Sequence, residues 1–339
     1  MMQRPSGFTI ELGDTLELCR KLPDQSVDLV ICSPPYEDAR TYGDKKRHSL
    51  RGQAWVDHYV ERYVEHYRVC RGLVVWVVEG RTQRFTWSAT PALLMADLHR
   101  RGVKLRKPPI FKRFGVFGGG GREWWRNDYE FCVCASHGRL PWADNTATGH
   151  PPKYPPGGDP SHQGKAGRVS GRKYKPPTLA NPGNVIECKV GGAHMGSDLA
   201  HENEAPFPER LVDAFVRSFC PPGGLVLDGF CGSGTTAAVC VATGRRFIGH
   251  EIRQSQIDLT WQRIAEAIDK RDRPPPQVGQ QGAKRSKRRP AAAVLDLECD
   301  TCGYKCNTYC EALTHGDRCP TCERMRPGEE GELKEIQNR

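Results

Sequence analysis

Short apolar runs alternate with segments of helical periodicity over most of this 339-residue chain. Val27–Cys32, in which only Asp28 is polar, and Leu73–Val78 are apolar runs, which is typical of strands buried on both faces of a parallel sheet. Between them, Trp55–Cys70 has apolar side chains at helical spacing. The other predicted strands are Phe8–Leu12, Tyr129–Ala135, Gly224–Leu227 and Arg246–His250, and the other predicted helices are Thr15–Leu22, Pro91–Arg101, Pro208–Phe219, Thr235–Thr243 and Ile257–Ile268. This alternation predicts a doubly wound α/β sheet within a core of residues 1–272.

The regular pattern is interrupted at residues 136–184, where prolines and glycines are frequent. Between residues 100 and 185, 16 Lys and Arg stand against 5 Asp and Glu. That surplus of 11 (16 − 5) is as large as the formal net charge of +10 on the whole chain. Concentrated positive charge in such a segment suits a polyphosphate partner, although a merely solvated basic loop stays an alternative.

The C-terminal part of the chain has a different composition. Residues 273–298 are rich in proline and basic residues, which predicts a linker to a small module at residues 299–326. Two C-x2-C pairs in that module are separated by 16 residues, a spacing typical of a structural zinc site. The four predicted ligands are Cys299, Cys302, Cys319 and Cys322. Cys306, Cys310 and His315 lie between them and could replace one ligand. The other nine cysteines lie in apolar segments, which predicts small core residues.

A glycine-rich turn follows the predicted strand Gly224–Leu227 and leads into a helix at Thr235. Without a Cβ, such a turn lets backbone N–H groups and the helix N-terminus approach a ligand closely. Glu251 follows the next strand, about where an acidic residue binds ribose hydroxyls in nucleoside-binding folds. A degenerate NAD fingerprint and a turn without ligand stay alternatives, whereas a Walker loop is excluded because no Gly-Lys-Ser/Thr follows.

A second turn, Ser33-Pro34-Pro35-Tyr36, follows the strand Val27–Cys32, and open α/β sheets bind ligands at such strand ends. A Pro-Pro turn alone is more often structural. Methylation of an exocyclic amine, however, needs two acceptors for its hydrogens, so that the nitrogen lone pair can attack. The Ser33 hydroxyl and the Pro34 carbonyl could be those acceptors, because the prolines fix the direction of the carbonyl. Tyr36 offers a flat surface for a base that has left the stack.

Residues 33–36 and 228–236 together resemble the catalytic and cofactor signatures of the DNA amino-methyltransferases. Their order resembles the permuted β-class of that family. The resemblance covers about residues 8–270, with a gap at the insertion. It implies a Rossmann-like methyltransferase fold with S-adenosylmethionine as cofactor. It also implies double-stranded DNA as substrate, with residues 136–184 as the target-recognition region.

The resemblance gives a role to each matching residue. Ser33, Pro34, Pro35 and Tyr36 would hold the target amine. The residues implied for the cofactor are Asp14 near the adenine, Glu251 at the ribose hydroxyls, and Phe207, Pro208, Asp228, Phe230, Cys231, Gly232, Gly234, Thr235 and Thr236 around the pocket.

Within the family, a serine at the first position of the turn goes mainly with cytosine N4, and Asp or Asn with adenine N6. The sequence therefore predicts a site-specific N4-cytosine DNA methyltransferase, with N6-adenine methylation as the first alternative. A non-catalytic DNA-binding or zinc-scaffold protein is the alternative of another class. Carbon-5 methylation is excluded, because it needs a cysteine nucleophile and no Pro-Cys dipeptide occurs.

The expected location is intracellular and cytoplasmic, because no N-terminal signal pattern and no apolar run of membrane-spanning length occurs. A cognate restriction endonuclease is an expected type of partner. The DNA recognition sequence and the oligomeric state do not follow from the sequence.

Overall fold

The computed structural model describes residues 5–37, 50–114, 122–123, 125–154, 175–202 and 206–273, together with the backbone of five further short strands. The chain divides into two compact units, Met1–Arg273 and Pro274–Arg339. The helices are α1 (Thr15–Cys19), α2 (Gln53–Val69), α3 (Thr90–Arg100), α4 (Glu209–Phe219), α5 (Thr235–Thr243) and α6 (Gln254–Asp272). The strands of the first unit are β1 (Phe8–Leu12), β2 (Val27–Cys32), β3 (Cys70–Val78), β4 (Thr82–Gln83), β5 (Thr86–Trp87), β6 (Leu105–Arg106), β7 (Ile110–Phe114), β8 (Tyr129–Ala135), β9 (His162–Gly164), β10 (Gly167–Val169), β11 (Val185–Lys189), β12 (Leu225–Asp228) and β13 (Arg246–Glu251), and those of the second are β14 (Leu295–Cys299), β15 (Lys305–Thr308) and β16 (Leu333–Glu335).

Nine of the described strands form one sheet in the order β1-β13-β12-β2-β3-β8-β7-β11, with β6 also pairing with β8. Each of the five neighbouring strands β1, β13, β12, β2 and β3 is parallel to the next one in the sheet. Strand β8 is antiparallel to both β3 and β7. Leu227 of β12 lies opposite Val30 of β2, although the two strands are almost 200 residues apart in sequence. The turns that follow these two strands therefore lie at the same edge of the sheet.

The core lies on both faces of this sheet. Leu29 and Ile31 of β2 face the side covered by α4, α5 and α6, whereas Val30 and Cys32 face α2 and α3. Successive side chains of a strand point to opposite faces, so a strand covered on both sides is apolar at most positions, and a polar residue in it needs partners. Asp28 of β2 has them, because it binds Arg71 at 2.6 Å and accepts the Leu225 amide at 2.8 Å. All six residues of β2 are buried. The doubly wound α/β fold is confirmed.

Several predicted elements differ from the structure at their ends. The helix predicted over Thr15–Leu22 ends at Cys19. Leu22 instead donates its amide to the Cys19 carbonyl in a turn, and the following Pro23 disfavours helical geometry at Leu22. The strands β6, β7 and β11 were not predicted, because they are short and carry polar side chains. Within residues 136–184, β9 and β10 form a small hairpin, and His150 forms an isolated bridge with Ala180.

The nine cysteines of the first unit are free and buried, which confirms them as core residues. Among the residues that the structure describes, no helix combines the length and the apolar character needed to cross a membrane. The described strands of the second unit form an antiparallel sheet in the order β15-β14-β16.

The predicted zinc ligands Cys302, Cys319 and Cys322 lie outside the described residues, and only the backbone of Cys299 is described. Within the described part of the chain, no group of three or more His, Cys, Asp or Glu side chains could hold a metal ion. The zinc site therefore stays a prediction.

Candidate active site

The turns that follow β2 and β12 line one cavity of about 240 Å³. Ser33 and Pro35 come from the first turn, and the run Gly229–Gly232 comes from the second. The end of β13 contributes Glu251, and Asp14 follows β1, which pairs with β13. The parallel arrangement of these strands brings residues from both ends of the first unit to one wall.

Nine of the residues proposed from the sequence line this cavity, namely Asp14, Ser33, Pro35, Phe207, Phe230, Cys231, Gly232, Thr235 and Glu251. Six do not line it, namely Pro34, Tyr36, Pro208, Asp228, Gly234 and Thr236. Ten lining residues were not proposed, namely Gly13, Thr15, His58, Tyr59, Arg62, Pro206, Gly229, His250, Ile252 and Arg253. Tyr59 belongs to the apolar face of a predicted helix, which by itself indicates only a core residue.

Asp228 lies behind the glycine turn and holds its shape. Its Oδ1 accepts the Phe230 amide at 3.0 Å, and its Oδ2 accepts the Thr236 hydroxyl at 2.6 Å. Burial raises the pKa of Asp228 to about 7, although these two hydrogen bonds lower it. Gly234 has φ +82°, and a Cβ there would lie 2.6 Å from Cγ2 of Thr260. The turn therefore requires glycine at that position.

Glu251 fastens the glycine turn to the end of β13. Its Oε2 accepts the Gly232 amide at 3.0 Å, and its Oε1 accepts the amides of Ile252 and Arg253, each at 3.0 Å. The side chain is buried, yet it lines the cavity. Backbone donors therefore fix the direction of this carboxylate.

Asp14 supplies a second carboxylate to the wall. Arg62 of α2 binds it through two hydrogen bonds, Nη2 to Oδ2 at 2.6 Å and Nε to Oδ1 at 3.2 Å. Asp14 also caps α1 by accepting the Leu16 amide at 2.9 Å. Burial raises the pKa of Asp14, but the contacts with Arg62 and Leu16 outweigh it and bring the pKa below its ordinary value. The carboxylate is therefore ionised at neutral pH.

Three hydrogen bonds fix the Ser-Pro-Pro-Tyr turn against its neighbours. The Ser33 hydroxyl donates to the Val77 carbonyl at 3.2 Å, and the Pro35 carbonyl accepts the Trp55 indole N–H at 2.9 Å. The Tyr36 hydroxyl donates to Oε2 of Glu130 at 2.5 Å. Because the Ser33 hydrogen is committed to Val77, the serine oxygen is left with acceptor capacity only.

Glu130 and Glu79 form an acidic pair near Tyr36 that the sequence reasoning missed. Burial raises the pKa of Glu130, although Arg113, 3.2 Å away, and Tyr36 both lower it. Burial likewise raises the pKa of Glu79 to about 7, although Trp87 and Gly80 donate hydrogen bonds to its Oε1. A glutamate inside the apolar strand Tyr129–Ala135 was the available signal, since such a residue is rarely buried without a partner.

An open α/β sheet with a glycine turn, an acidic strand end and a proline-rich turn around one cavity defines a Rossmann-like, nucleoside-binding class of enzyme. The family model described as DNA methylase (N6_N4_Mtase) matches residues 27–262. The chain therefore belongs to this family of DNA methyltransferases.

The known proteins that resemble this chain include enzymes for different bases. The DNA adenine methyltransferase YhdJ of Escherichia coli (strain K12) is 25% identical over 264 residues, which cover 76% of this chain and 82% of YhdJ. The structure of the cytosine-N4-specific PvuII DNA methyltransferase, an enzyme of Proteus hauseri, gives a TM-score of 0.57 at 18% identity and covers 78% of this chain and 92% of that one.

A third similar protein was solved with a ligand. The putative DNA modification methylase TTHA0409 of Thermus thermophilus, in complex with S-adenosyl-L-methionine, gives a TM-score of 0.50 at 22% identity and covers 77% of this chain and 94% of that one. The predicted methyltransferase fold and enzyme class are confirmed. Because YhdJ acts on adenine and the PvuII enzyme on cytosine, these similarities leave the target base of this chain open.

Proposed function

We propose that the protein transfers a methyl group from S-adenosylmethionine to N4 of cytosine in double-stranded DNA, acting on a base flipped out of the helix. The observation that carries this proposal is that Ser33 and the glycine turn line one cavity. The cofactor would supply an electrophilic methyl group there.

The residues of the cavity wall fit a nucleoside cofactor. Glu251 would accept hydrogen bonds from ribose hydroxyls, since three backbone amides already orient its carboxylate. The rings of Phe207 and Phe230 give the wall an apolar surface on which an adenine could pack. Asp14, which also lines the cavity, would lie near that adenine. Cys231, Gly232 and Thr235 would also contact the cofactor, since they line the cavity. Asp228, Gly234 and Thr236 do not line it and would act by shaping the turn, whereas Pro208, which does not line it either, is assigned only through the family resemblance.

The Ser-Pro-Pro-Tyr turn would hold the target amine. The Ser33 oxygen would accept one amino hydrogen, because its own hydrogen is committed to Val77. The Pro34 carbonyl would accept the other, with Pro35 fixing the direction of that carbonyl. Both bonds would localise the lone pair on the nitrogen, which would receive the methyl group that the cofactor supplies when bound, with the thioether as leaving group. The nitrogen would then release one proton to solvent. Tyr36, held by Glu130, would support the base.

DNA recognition and the C-terminal module complete the proposal. Residues 136–184, an insertion in the core of residues 1–272, would contact phosphates through exposed basic residues such as Arg139, Lys153 and Lys175. Residues 273–298 would be the linker to a zinc-binding module at 299–326. A cognate restriction endonuclease would be a functional partner.

The target base can be measured directly. The protein is incubated with unmodified DNA and S-adenosylmethionine, and the DNA is digested to nucleosides for mass spectrometry. N4-methyldeoxycytidine is the expected product. N6-methyldeoxyadenosine would move the assignment to adenine, and no methylated nucleoside would contradict the proposed activity.

Two serine variants test the role of the turn. Ser33→Ala should lower kcat by about tenfold or more, because it removes an acceptor for the target amine. Ser26→Ala is the matched control, since Ser26 also donates to a backbone carbonyl, that of Pro23, but does not line the cavity. Equal activity of the two variants would contradict the role of Ser33.

A further inference from the structure

A buried chain of hydrogen bonds leads from the core to the cavity and involves neither sequence motif. It begins at Trp76 of β3, whose Nε1 lies 2.8 Å from Nδ1 of His66. Nε2 of His66 lies 3.0 Å from the Thr15 hydroxyl, which lies 2.9 Å from Nδ1 of His250. All four side chains are buried, and Thr15 and His250 line the cavity.

The direction of this chain follows from hydrogen-bond chemistry. An indole nitrogen can only donate, so Nδ1 of His66 must accept. Burial lowers the pKa of His66 to about 3, and the ring is therefore neutral with its hydrogen on Nε2. That hydrogen is donated to the Thr15 oxygen. The Thr15 hydroxyl lies 2.9 Å from Nδ1 of His250 and 3.7 Å from Sγ of Cys19, and we assign its hydrogen to the shorter contact, with Nδ1 of His250 as the acceptor.

The chain places the hydrogen of His250 on Nε2. Burial lowers the pKa of His250 to about 4, although Asp14 raises it, so this ring is also neutral at physiological pH. The thiol of Cys19 lies 3.9 Å from the same nitrogen and is a weaker partner than the Thr15 hydroxyl at 2.9 Å. His250 therefore carries a fixed N–H donor on the far side of its ring.

That donor has no hydrogen-bond partner among the described residues. A buried polar atom without a partner is costly and rare in folded proteins. The neighbouring wall is rich in acceptors that already have donors, since Arg62 binds Asp14 and Gly232 binds Glu251. A ligand that offers its donors to these carboxylates still needs a protein donor for its own acceptor atoms.

We propose that His250 is a further cofactor-binding residue, which donates from Nε2 to an acceptor atom in the nucleoside half of S-adenosylmethionine, and that Trp76, His66 and Thr15 are positioning residues that fix its tautomer. This inference rests on the proposed function for the identity of the ligand. Adenine offers ring nitrogens as such acceptors, whereas Asp14 and Glu251 can serve only the donors of the nucleoside.

Binding variants separate this role from a purely structural one. His250→Phe keeps a planar ring but has no donor, whereas His250→Gln retains a donor. S-adenosylhomocysteine is the probe, and isothermal titration gives its Kd. We expect His250→Phe to weaken binding by about tenfold and His250→Gln by less than about threefold. Urea unfolding without ligand reports the stability of each variant separately. His99→Phe is the matched control, because His99 is exposed on α3 and does not line the cavity.

The nucleoside half is tested with 5′-methylthioadenosine, which lacks the amino acid. His250→Phe should weaken its binding by the same factor. Weakened binding of S-adenosylhomocysteine alone would place the acceptor elsewhere and overturn the assignment to the nucleoside.

Nitrogen-15 NMR of labelled histidines tests the chain of hydrogen bonds without any ligand. We expect the hydrogen on Nε2 in both His66 and His250, and a hydrogen on Nδ1 in either ring would overturn the inference. If the wild type binds S-adenosylhomocysteine and His250→Phe binds it equally well, the role of His250 is wrong while the proposed function stands. If the wild type does not bind it, the proposed function itself fails.

Discussion

Gly229, the residue of the glycine turn that lies beside the buried histidine chain, is a position where one added methyl group should have a large effect. A Cβ there would lie 2.4 Å from both Cε1 and Nε2 of His66 and 2.6 Å from the Thr15 hydroxyl oxygen. The His66 ring cannot move away freely, because Trp76 and Thr15 bond its two nitrogens at 2.8 and 3.0 Å. Gly229→Ala should therefore displace the ring and break at least one of these bonds.

The expected loss can be estimated from these contacts. Ordinary carbon contacts begin near 3.4 Å, so the 2.4 Å approach requires a shift of about 1 Å in a packed core. Overpacking of this kind costs about 1–3 kcal/mol, and one lost buried hydrogen bond adds about 1 kcal/mol. We expect the free energy of unfolding to fall by about 2–4 kcal/mol and the melting temperature by roughly 5–15 °C.

Urea unfolding followed by circular dichroism measures the change. Gly138→Ala is the matched control, because a Cβ at Gly138 meets nothing within 4 Å. A second control is the pair Gly229→Ala with His66→Ala, which removes the clashing ring. In the His66→Ala protein, Gly229→Ala should lower the free energy of unfolding by less than it does when His66 is present. A Gly229→Ala protein as stable as Gly138→Ala would refute the reasoning.

Two further predictions concern charge and metal. Burial raises the pKa of Asp228 from 3.8 to about 7, so its contribution to stability is complete below pH 3.8 and is lost as the pH rises through about 7. That contribution is about 4 kcal/mol, of which roughly 3 kcal/mol is lost between pH 5 and pH 8. The free energy of unfolding of Asp228→Asn should therefore decline less over this interval, and a decline equal to that of the wild type would contradict the shifted pKa. The purified full-length protein should contain about one zinc per chain by mass spectrometry of metals, and the double variant Cys299→Ser with Cys302→Ser should lose it. A wild type without metal but with a folded tail would contradict the zinc site.

The central strands and the two turns could be predicted from the sequence because their patterns are local. β2 is buried at every position and apolar at all but Asp28, a pattern typical of a strand covered on both faces, and the proline-rich turn follows it directly. Likewise, the sequence distance between the glycine turn and Glu251 is typical of a nucleoside-binding fold. Those local patterns implied that the two turns share a cavity, because parallel strands end at the same edge of a sheet.

The buried histidine chain could not be predicted in this way. Trp76, His66, Thr15 and His250 come from four separate elements, and each looks in sequence like a single polar or aromatic residue in an apolar segment. Their relation depends on which helix covers which face of the sheet, which residue patterns do not specify. The same holds for Glu130, whose partner Tyr36 lies 94 positions away. The edge strand β11 was missed for another reason, since it is short and mostly exposed.

The most direct test of the central claim is a crystal structure of the protein with S-adenosylhomocysteine. The account predicts the ligand in the cavity between the two turns, with its ribose at Glu251, an acceptor atom at Nε2 of His250 and its sulfur facing Ser33. A ligand bound elsewhere on the protein, or one in this cavity whose sulfur points away from the Ser-Pro-Pro-Tyr turn, would contradict it.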